Sequence, residues 1–204
     1  MEMDVPPKML ASLTMTILMT MMATSMTLAA DAAVLKGQAR ALLIWKDSLD
    51  NQSHQALHSW GNTSTPCNWR GISCDTGVQR HQHWPVISGI SLRGMRLRGA
   101  LESLNFSALR TLTRLDLSHN LLTGSIPPSI EVLRELHALL LQGNQIRGSI
   151  PLGLGNLTKL YSLMLHENEL SGEIPSQIGN MSSLVTLNLS SNHLVGHIPC
   201  EIGT

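Results

Sequence analysis

Apolar and polar positions along the chain fall into a pattern that returns every 24 residues. Leu117, Leu141, Leu165 and Leu189 hold one phase of it, and Asn120, Asn144, Asn168 and Asn192 hold another. Gly124, Gly148, Gly172 and Gly196 keep the same step, as do Pro127, Pro151, Pro175 and Pro199. Each unit reads L-x-x-L-x-L-x-x-N-x-[LI]-x-G-x-I-P, as in the stretch from Leu112 to Pro127. A fixed period of this length marks a solenoid of stacked units. Within a unit, Leu115-Asp116-Leu117 alternates apolar, polar, apolar, which predicts a short strand with both leucines turned inward. Stacking then yields a parallel sheet backed by a continuous leucine core. The asparagine carries both donors and acceptors, so it suits a turn that buries backbone groups, and successive asparagines form a ladder. Glycine admits a backbone geometry that side chains disfavour, and proline removes a donor and ends the strand. A long apolar helix does not explain the leucines, because Gly and Pro in every period would break it.

An irregular unit precedes the regular ones. Ile90-Ser91-Leu92 aligns with Leu115-Asp116-Leu117 and Gly99 with Gly124, at a step of 25, and Met95 stands where the asparagine series would begin. A terminal unit, with one side unpaired, is free to depart from the consensus. Upstream, Ala41, Leu42, Ile44 and Trp45 fall at helical spacing, which predicts an amphipathic helix over Gln38–Leu49; a second short helix is expected over Gln52–Trp60. These segments are suited to cover the first apolar face of the stack.

The form L-x-G-x-I-P, as in Leu122-Thr123-Gly124-Ser125-Ile126-Pro127, resembles the plant-type leucine-rich repeat, over roughly residues 36 to 204. The run Cys67-Asn68-Trp69-Arg70-Gly71-Ile72-Ser73-Cys74, preceded by Ala41-Leu42-Leu43-Ile44-Trp45-Lys46, resembles the N-terminal cap of plant leucine-rich-repeat receptors. Leu104-Asn105-Phe106-Ser107 is similar to the first-repeat insert of some plant receptor-like kinases. The resemblance implies an α/β fold: a leucine-rich-repeat solenoid with short parallel strands on the concave face and a helical, disulfide-bonded cap. It implies a second short strand at the G-x-I-P stretch and a superhelical twist. It also implies a Cys67–Cys74 disulfide, whose short loop is worth about 2–3 kcal/mol of chain entropy. The expected organisation is a signal peptide over 1–30, the cap over 31–85, and repeats over 86–204, one irregular and four of 24 residues.

Composition adds a compartment. Residues 9–30 carry no charge between Lys8 and Asp31 and hold most of the methionines, and Ala29-Ala30 offers small residues for cleavage, which reads as a secretory leader. Six N-x-[ST] sequons, at Asn51, Asn62, Asn105, Asn156, Asn180 and Asn188, agree with export. No later run approaches the ~20 apolar residues of a membrane span. Fourteen basic and fourteen acidic residues leave no net charge, which argues against a nucleic-acid partner. Charge is nevertheless segregated: Arg80, Arg93, Arg96, Arg98, Arg110 and Arg114 come early, Glu167, Glu169 and Glu173 late. Zinc on Cys67, Cys74, His81 and His83 is disfavoured by the six-residue gap between the cysteines, and C-x-x-C redox chemistry has no motif. Cys200 is the odd cysteine, in a variable position after the I-P turn, and is expected to be an exposed free thiol.

No catalytic set or cofactor motif is visible, so the chain is expected to be a non-enzyme. The strands instead offer three outward columns. The first is Gly89, Arg114, Ala138, Ser162 and Thr186; the second Ser91, Asp116, Leu140, Met164 and Asn188; the third Arg93, Ser118, Gln142, His166 and Ser190. Leu140 and Met164 are apolar where water is expected, with His137 and Tyr161 beside them. Arg93, Arg114, Asp116, His137, Leu140, Gln142, Tyr161, Met164 and His166 are therefore the candidate ligand-binding residues. The resemblance implies recognition of a peptide or protein ligand, or of a co-receptor, at the cell surface or apoplast. In that reading the chain is the N-terminal part of a receptor-like kinase ectodomain, without membrane helix or kinase. The alternative is a stand-alone secreted repeat protein, an enzyme inhibitor or a soluble decoy.

Overall fold

The computed structural model describes residues 33–61, 65–75 and 85–202, together with Met15, Met19 and Thr20 as isolated helical positions. The rest of the segment expected to be a leader, and Asn62, Arg80, His81 and His83, lie outside the described residues.

Each regular repeat is one coil. It runs from an inner strand through an asparagine turn to an outer strand, then returns by a 3-10 turn. The inner strands are β2 (Val86–Ser91), β4 (Arg114–Asp116), β6 (Ala138–Leu140), β8 (Ser162–Met164) and β10 (Thr186–Asn188). They pair in parallel, in chain order, and carry the concave face. β1 (Ile72–Asp75) closes the first edge of this sheet, antiparallel to β2. The outer strands are β3 (Arg98–Ala100), β5 (Leu121–Thr123), β7 (Arg147–Gly148), β9 (Glu169–Glu173) and β11 (His193–Val195). They end before the Ile-Pro pair, so the second strand occupies the residues around the glycine rather than the whole G-x-I-P stretch. Gly124, Gly148, Gly172 and Gly196 have φ between 79° and 82°, away from extended backbone, and each strand ends within one residue of its glycine. In the inner sheet each residue faces its repeat equivalent. On the outer side Arg147 faces Glu169, two residues short of its equivalent Ser171, and His193 faces Ser171 with the same slip. The outer strands are thus offset by two residues per coil while the inner strands are not.

Leucines fill the space between. Leu112, Leu115, Leu117, Leu122, Ile130 and Leu133 of the first regular repeat are all fully buried, and their equivalents in the next two are at most 4% exposed. Each is worth about 1.5–3 kcal/mol when wholly removed from water.

The asparagine ladder has the same wiring on every rung. Asn144 Nδ2 donates to Leu141 O of its own repeat at 2.9 Å and to Leu117 O of the preceding one at 3.0 Å. Its Oδ1 accepts from Leu122 N at 3.0 Å. Asn120, Asn168 and Asn192 repeat this arrangement. The residue before each asparagine is left-handed: His119, Glu167 and Ser191 have φ near 55°, and Gly143 has φ 68°. That sharp turn aims the asparagine inward.

In the irregular repeat, Leu101 matches Ile126 at a step of 25, whereas Phe106 matches Ile130 at 24. The extra residue therefore lies in 102–105, between the short 3-10 turns Leu101–Ser103 and Phe106–Ala108. It brings Leu104 into the core, and both flanking strands keep their register. Glu102 uses this segment to reach across to the next coil. Its Oε2 accepts from Ser125 N at 2.6 Å and from Ser125 Oγ at 2.9 Å. The N–H bond, then the hydroxyl bond, holds its carboxyl below the ordinary 4.5.

The cap docks through packing and through polar groups spaced far apart in sequence. α1 spans residues 33–47, starting earlier than the apolar spacing indicated, and α2 is Asn51–Ala56. Ala41, Leu42 and Trp45 are buried as expected, but Ile44 is 57% exposed and faces solvent. Trp60 sits between Trp45 and Trp69, with ring centroids at 6.3 and 5.6 Å. Gln38 accepts from Ile87 N and donates to Thr111 Oγ1, while Ser53 Oγ accepts from Arg98 N, so the cap satisfies the first rung on both its inner and outer sides. Cys67 and Cys74 form the disulfide, with Cα atoms 5.5 Å apart. Cys200 is a free, exposed thiol.

Three outcomes follow from this architecture. Asn144→Ala leaves Leu122 N–H and two carbonyls without their partner and is expected to cost about 2–3 kcal/mol in urea unfolding; a change near zero contradicts the ladder. Glu102→Gln tests the cross-coil clamp by its pH dependence. A carboxyl with a lowered folded pKa stabilises above its unfolded value of about 4.5, and that stabilisation is lost as pH falls through the folded one. The variant is thus expected to be less stable than the parent at pH 7, with the gap narrowing as the pH falls below about 4.5, in paired thermal melts. Finally, Leu184, Leu187, Leu189 and Leu194 are only half-buried and Ile198 is 77% exposed, unlike their counterparts in earlier repeats. A polypeptide ending at Thr204 is expected to show faster amide exchange over 181–202 than around Leu141; equal protection in a dilute monomer would refute this.

Candidate ligand-binding face

Parallel register turns the outward strand positions into straight columns. Arg114, Ala138, Ser162 and Thr186 are successive partners, and so are Asp116, Leu140, Met164 and Asn188. Rungs stand about 4.8 Å apart, so neighbours in a column pack against each other.

The column from Asp116 to Asn188 is polar at its ends and apolar in its middle. Asp116 is only 4% exposed. Its Oδ2 accepts from Arg114 at 3.1 Å, and its Oδ1 accepts from Ser118 N at 3.2 Å and Ser118 Oγ at 2.7 Å. Asn188 binds Ser190 N and Oγ in the same way. Between them Leu140 and Met164 lie side by side, half-buried. In the next column Gln142 is buried at 8% exposure and His166 is half-buried; Gln142 Oε1 and His166 Nδ1 lack a protein partner. Arg93 is exposed. Asp116 and Gln142 were singled out as outward residues, yet each is flanked by side chains one rung to either side. That crowding takes them out of solvent.

A further column runs along the edge where the chain enters the inner sheet: Thr113, His137, Tyr161 and Val185. Each backbone N–H here donates to the carbonyl one rung earlier: His137 N to Thr113 O at 2.7 Å, and Tyr161 N to His137 O and Val185 N to Tyr161 O, both at 2.9 Å. The side chains are thereby stacked. His137 is exposed, Tyr161 is 46% exposed and Val185 84%, with the His137 and Tyr161 rings 6.3 Å apart and tilted by 47°. His137 and Tyr161 thus stand as one pair and Leu140 and Met164 as another, with the column of Ala138 and Ser162 between them; the two pairs make up a ledge on this face, and Val185 continues the first. Val185 was not anticipated, although it occupies the same repeat position as Tyr161 and could have been found from it.

A groove of about 510 Å³ lies elsewhere, over Ile150, Pro151, Leu152, Pro175 and His197 on the side of the Ile-Pro turns. Among the described residues no cluster of His, Cys, Asp or Glu is arranged to hold a metal. No helix among them is long and apolar enough to cross a membrane. Asn51, Asn105, Asn156 and Asn180 are exposed, and Asn188 is half-buried in the concave column.

Comparison with known proteins agrees with this geometry. Residues 35–75 match the Leucine rich repeat N-terminal domain, and residues 111–133, 135–157, 159–181 and 183–204 each match the Leucine Rich Repeat. Over 94 residues the chain is 43% identical to the LRR receptor-like serine/threonine-protein kinase RGI3 of Arabidopsis thaliana, covering 46% of this chain and 8% of that protein. Among solved structures, a chain of the BIR3–SERK2 complex from Arabidopsis thaliana is 38% identical with a TM-score of 0.68, covering 79% of this chain and 85% of that one. The BIR2 ectodomain from the same plant is 32% identical with a TM-score of 0.71, over 82% and 86%. The chain belongs to the plant leucine-rich-repeat receptor family, as a leucine-rich-repeat ectodomain with its N-terminal cap. It spans 8% of the length of the curated receptor kinase it matches.

Proposed function

We propose that the chain is an extracellular recognition module, the N-terminal part of a receptor-like kinase ectodomain, and that it takes a peptide or protein partner on its concave face. The observation that carries this is the ledge of His137, Leu140, Tyr161 and Met164. An apolar pair, Leu140 and Met164, and an aromatic pair, His137 and Tyr161, flank the small Ala138 and Ser162 on a face whose other outward positions are mostly polar or small. Grouped apolar and aromatic anchors of this kind supply most of the energy in peptide and protein recognition. Arg93, exposed and without an acidic neighbour in its column, favours a partner with an acidic group at the first-rung end of this face, whereas Arg114 is already paired with Asp116. The relatives support the reading: RGI3 is a receptor-like kinase, and one structural neighbour comes from a complex of two proteins. Recognition, not catalysis, is the activity of this chain in the proposal, at the cell surface and after passage through the secretory pathway.

The test uses the purified chain and peptides selected on it by display. Leu140→Glu and Met164→Glu are expected to weaken binding at least tenfold, about 1.4 kcal/mol or more, by calorimetry. Gln177→Glu, on the convex arc, is expected to leave affinity unchanged. Full affinity in both concave variants, with melting temperatures intact, rejects this face as the binding surface.

A further inference from the structure

Asn156 and Asn180 occupy one position in neighbouring repeats. Each ends the 3-10 turn of its convex arc, Leu152–Asn156 and Ser176–Asn180. Each is exposed and opens a sequon completed by exposed Thr158 or Ser182. Their surroundings differ. Asn156 borders a groove of about 490 Å³ lined by Arg110, Glu131, Val132 and Arg134. Its Nδ2 donates to Glu131 Oε2 at 3.2 Å, and Arg110 Nε is held by Ser107 O at 3.4 Å. One repeat further on, the residues equivalent to Glu131 and Arg134 are Gly155 and Thr158. Asn180 therefore lacks the carboxylate and one of the two guanidinium groups.

We propose that Asn156 carries an N-linked glycan and that this groove seats its first N-acetylglucosamine. The inference rests on the reading that the chain passes through the secretory pathway. A sugar ring offers hydroxyls that both donate and accept, with an acetamido group beside them. Arg110 and Arg134 present forked donors, Glu131 an acceptor, and Val132 an apolar spot for the acetyl methyl or the ring face. The groove is larger than one such ring and opens at the atom that bears the sugar. In the transfer, Nδ2 forms a bond to C1 of an oligosaccharide held on a lipid diphosphate. The C1–phosphate bond breaks, the lipid diphosphate departs, and Nδ2 gives up one proton and keeps one N–H. The attachment lies on the convex arc, away from the ledge on the concave face, so glycan and partner do not compete for space.

The experiment expresses the full chain in eukaryotic cells held to high-mannose glycans. An endoglycosidase then trims each glycan to a single N-acetylglucosamine, and peptide mass mapping reads the occupied sites. Asn156 is expected to be occupied. Thr158→Ala abolishes that sequon while keeping Asn156, and Ser182→Ala does the same for Asn180. The single-sugar parent is expected to melt about 2 °C above Thr158→Ala and level with Ser182→Ala. The double variant Arg110→Ala/Arg134→Ala is expected to erase the difference made by Thr158→Ala. Sugars at other sequons with Asn156 empty, or a Thr158→Ala protein that melts with the parent, overturn the groove and leave the export reading standing. No sugar at any sequon overturns both.

Discussion

One carboxamide per coil makes the stack possible. Each turn between the inner and outer strands buries main-chain groups that no strand partner reaches, and an unpaired buried group costs about 1–3 kcal/mol. A single asparagine side chain answers two carbonyls and one N–H at once, and it draws them from two successive coils. Shape and hydrogen bonding are thus coupled on every rung: the leucines bring the coils together, and the asparagine fixes the distance and phase at which they meet. Everything on the concave face, from column register to the exposure of Tyr161, inherits that phase.

The two ends of the ladder meet this demand differently. At the start, where Met95 replaces the asparagine, the cap supplies other polar groups: the amide of Gln38 on the inner side and the hydroxyl of Ser53 on the outer side. Packing of Trp45, Trp60 and Trp69 holds the cap against the first coil, and the Cys67–Cys74 bond ties the segment leading into β1. In the last described coil the leucines have a neighbour on one side only and keep part of their surface in water. The contrast shows how much of each coil's burial is provided by the next one.

The repeat, the strand columns and the ladder were legible because each is a local rule applied many times, and repetition separates it from chance. The ledge of Leu140 and Met164 was legible for the same reason: an apolar side chain in a polar column stands out. What was hidden depends on contacts between distant or singular residues. Gln38 meets Thr111 across 73 positions, and nothing near either residue announces it. α1 begins before the residues whose spacing revealed it, because Gly37 interrupts the pattern while Leu35 still packs against the core. Asp116 and Gln142 point outward along the strand as the alternation requires, but their exposure is set by side chains on adjacent rungs, which alternation alone does not report.

The extra residue in 102–105 carries an implication for how such a molecule changes over generations. It is absorbed entirely within the returning arc, and the strands on both sides of it remain in step. A copying error that added one residue here left the ladder intact, while the same error between the inner strand and the outer one would shift the asparagine out of reach. The length of this first arc can thus change over generations while the columns that meet a partner stay in register.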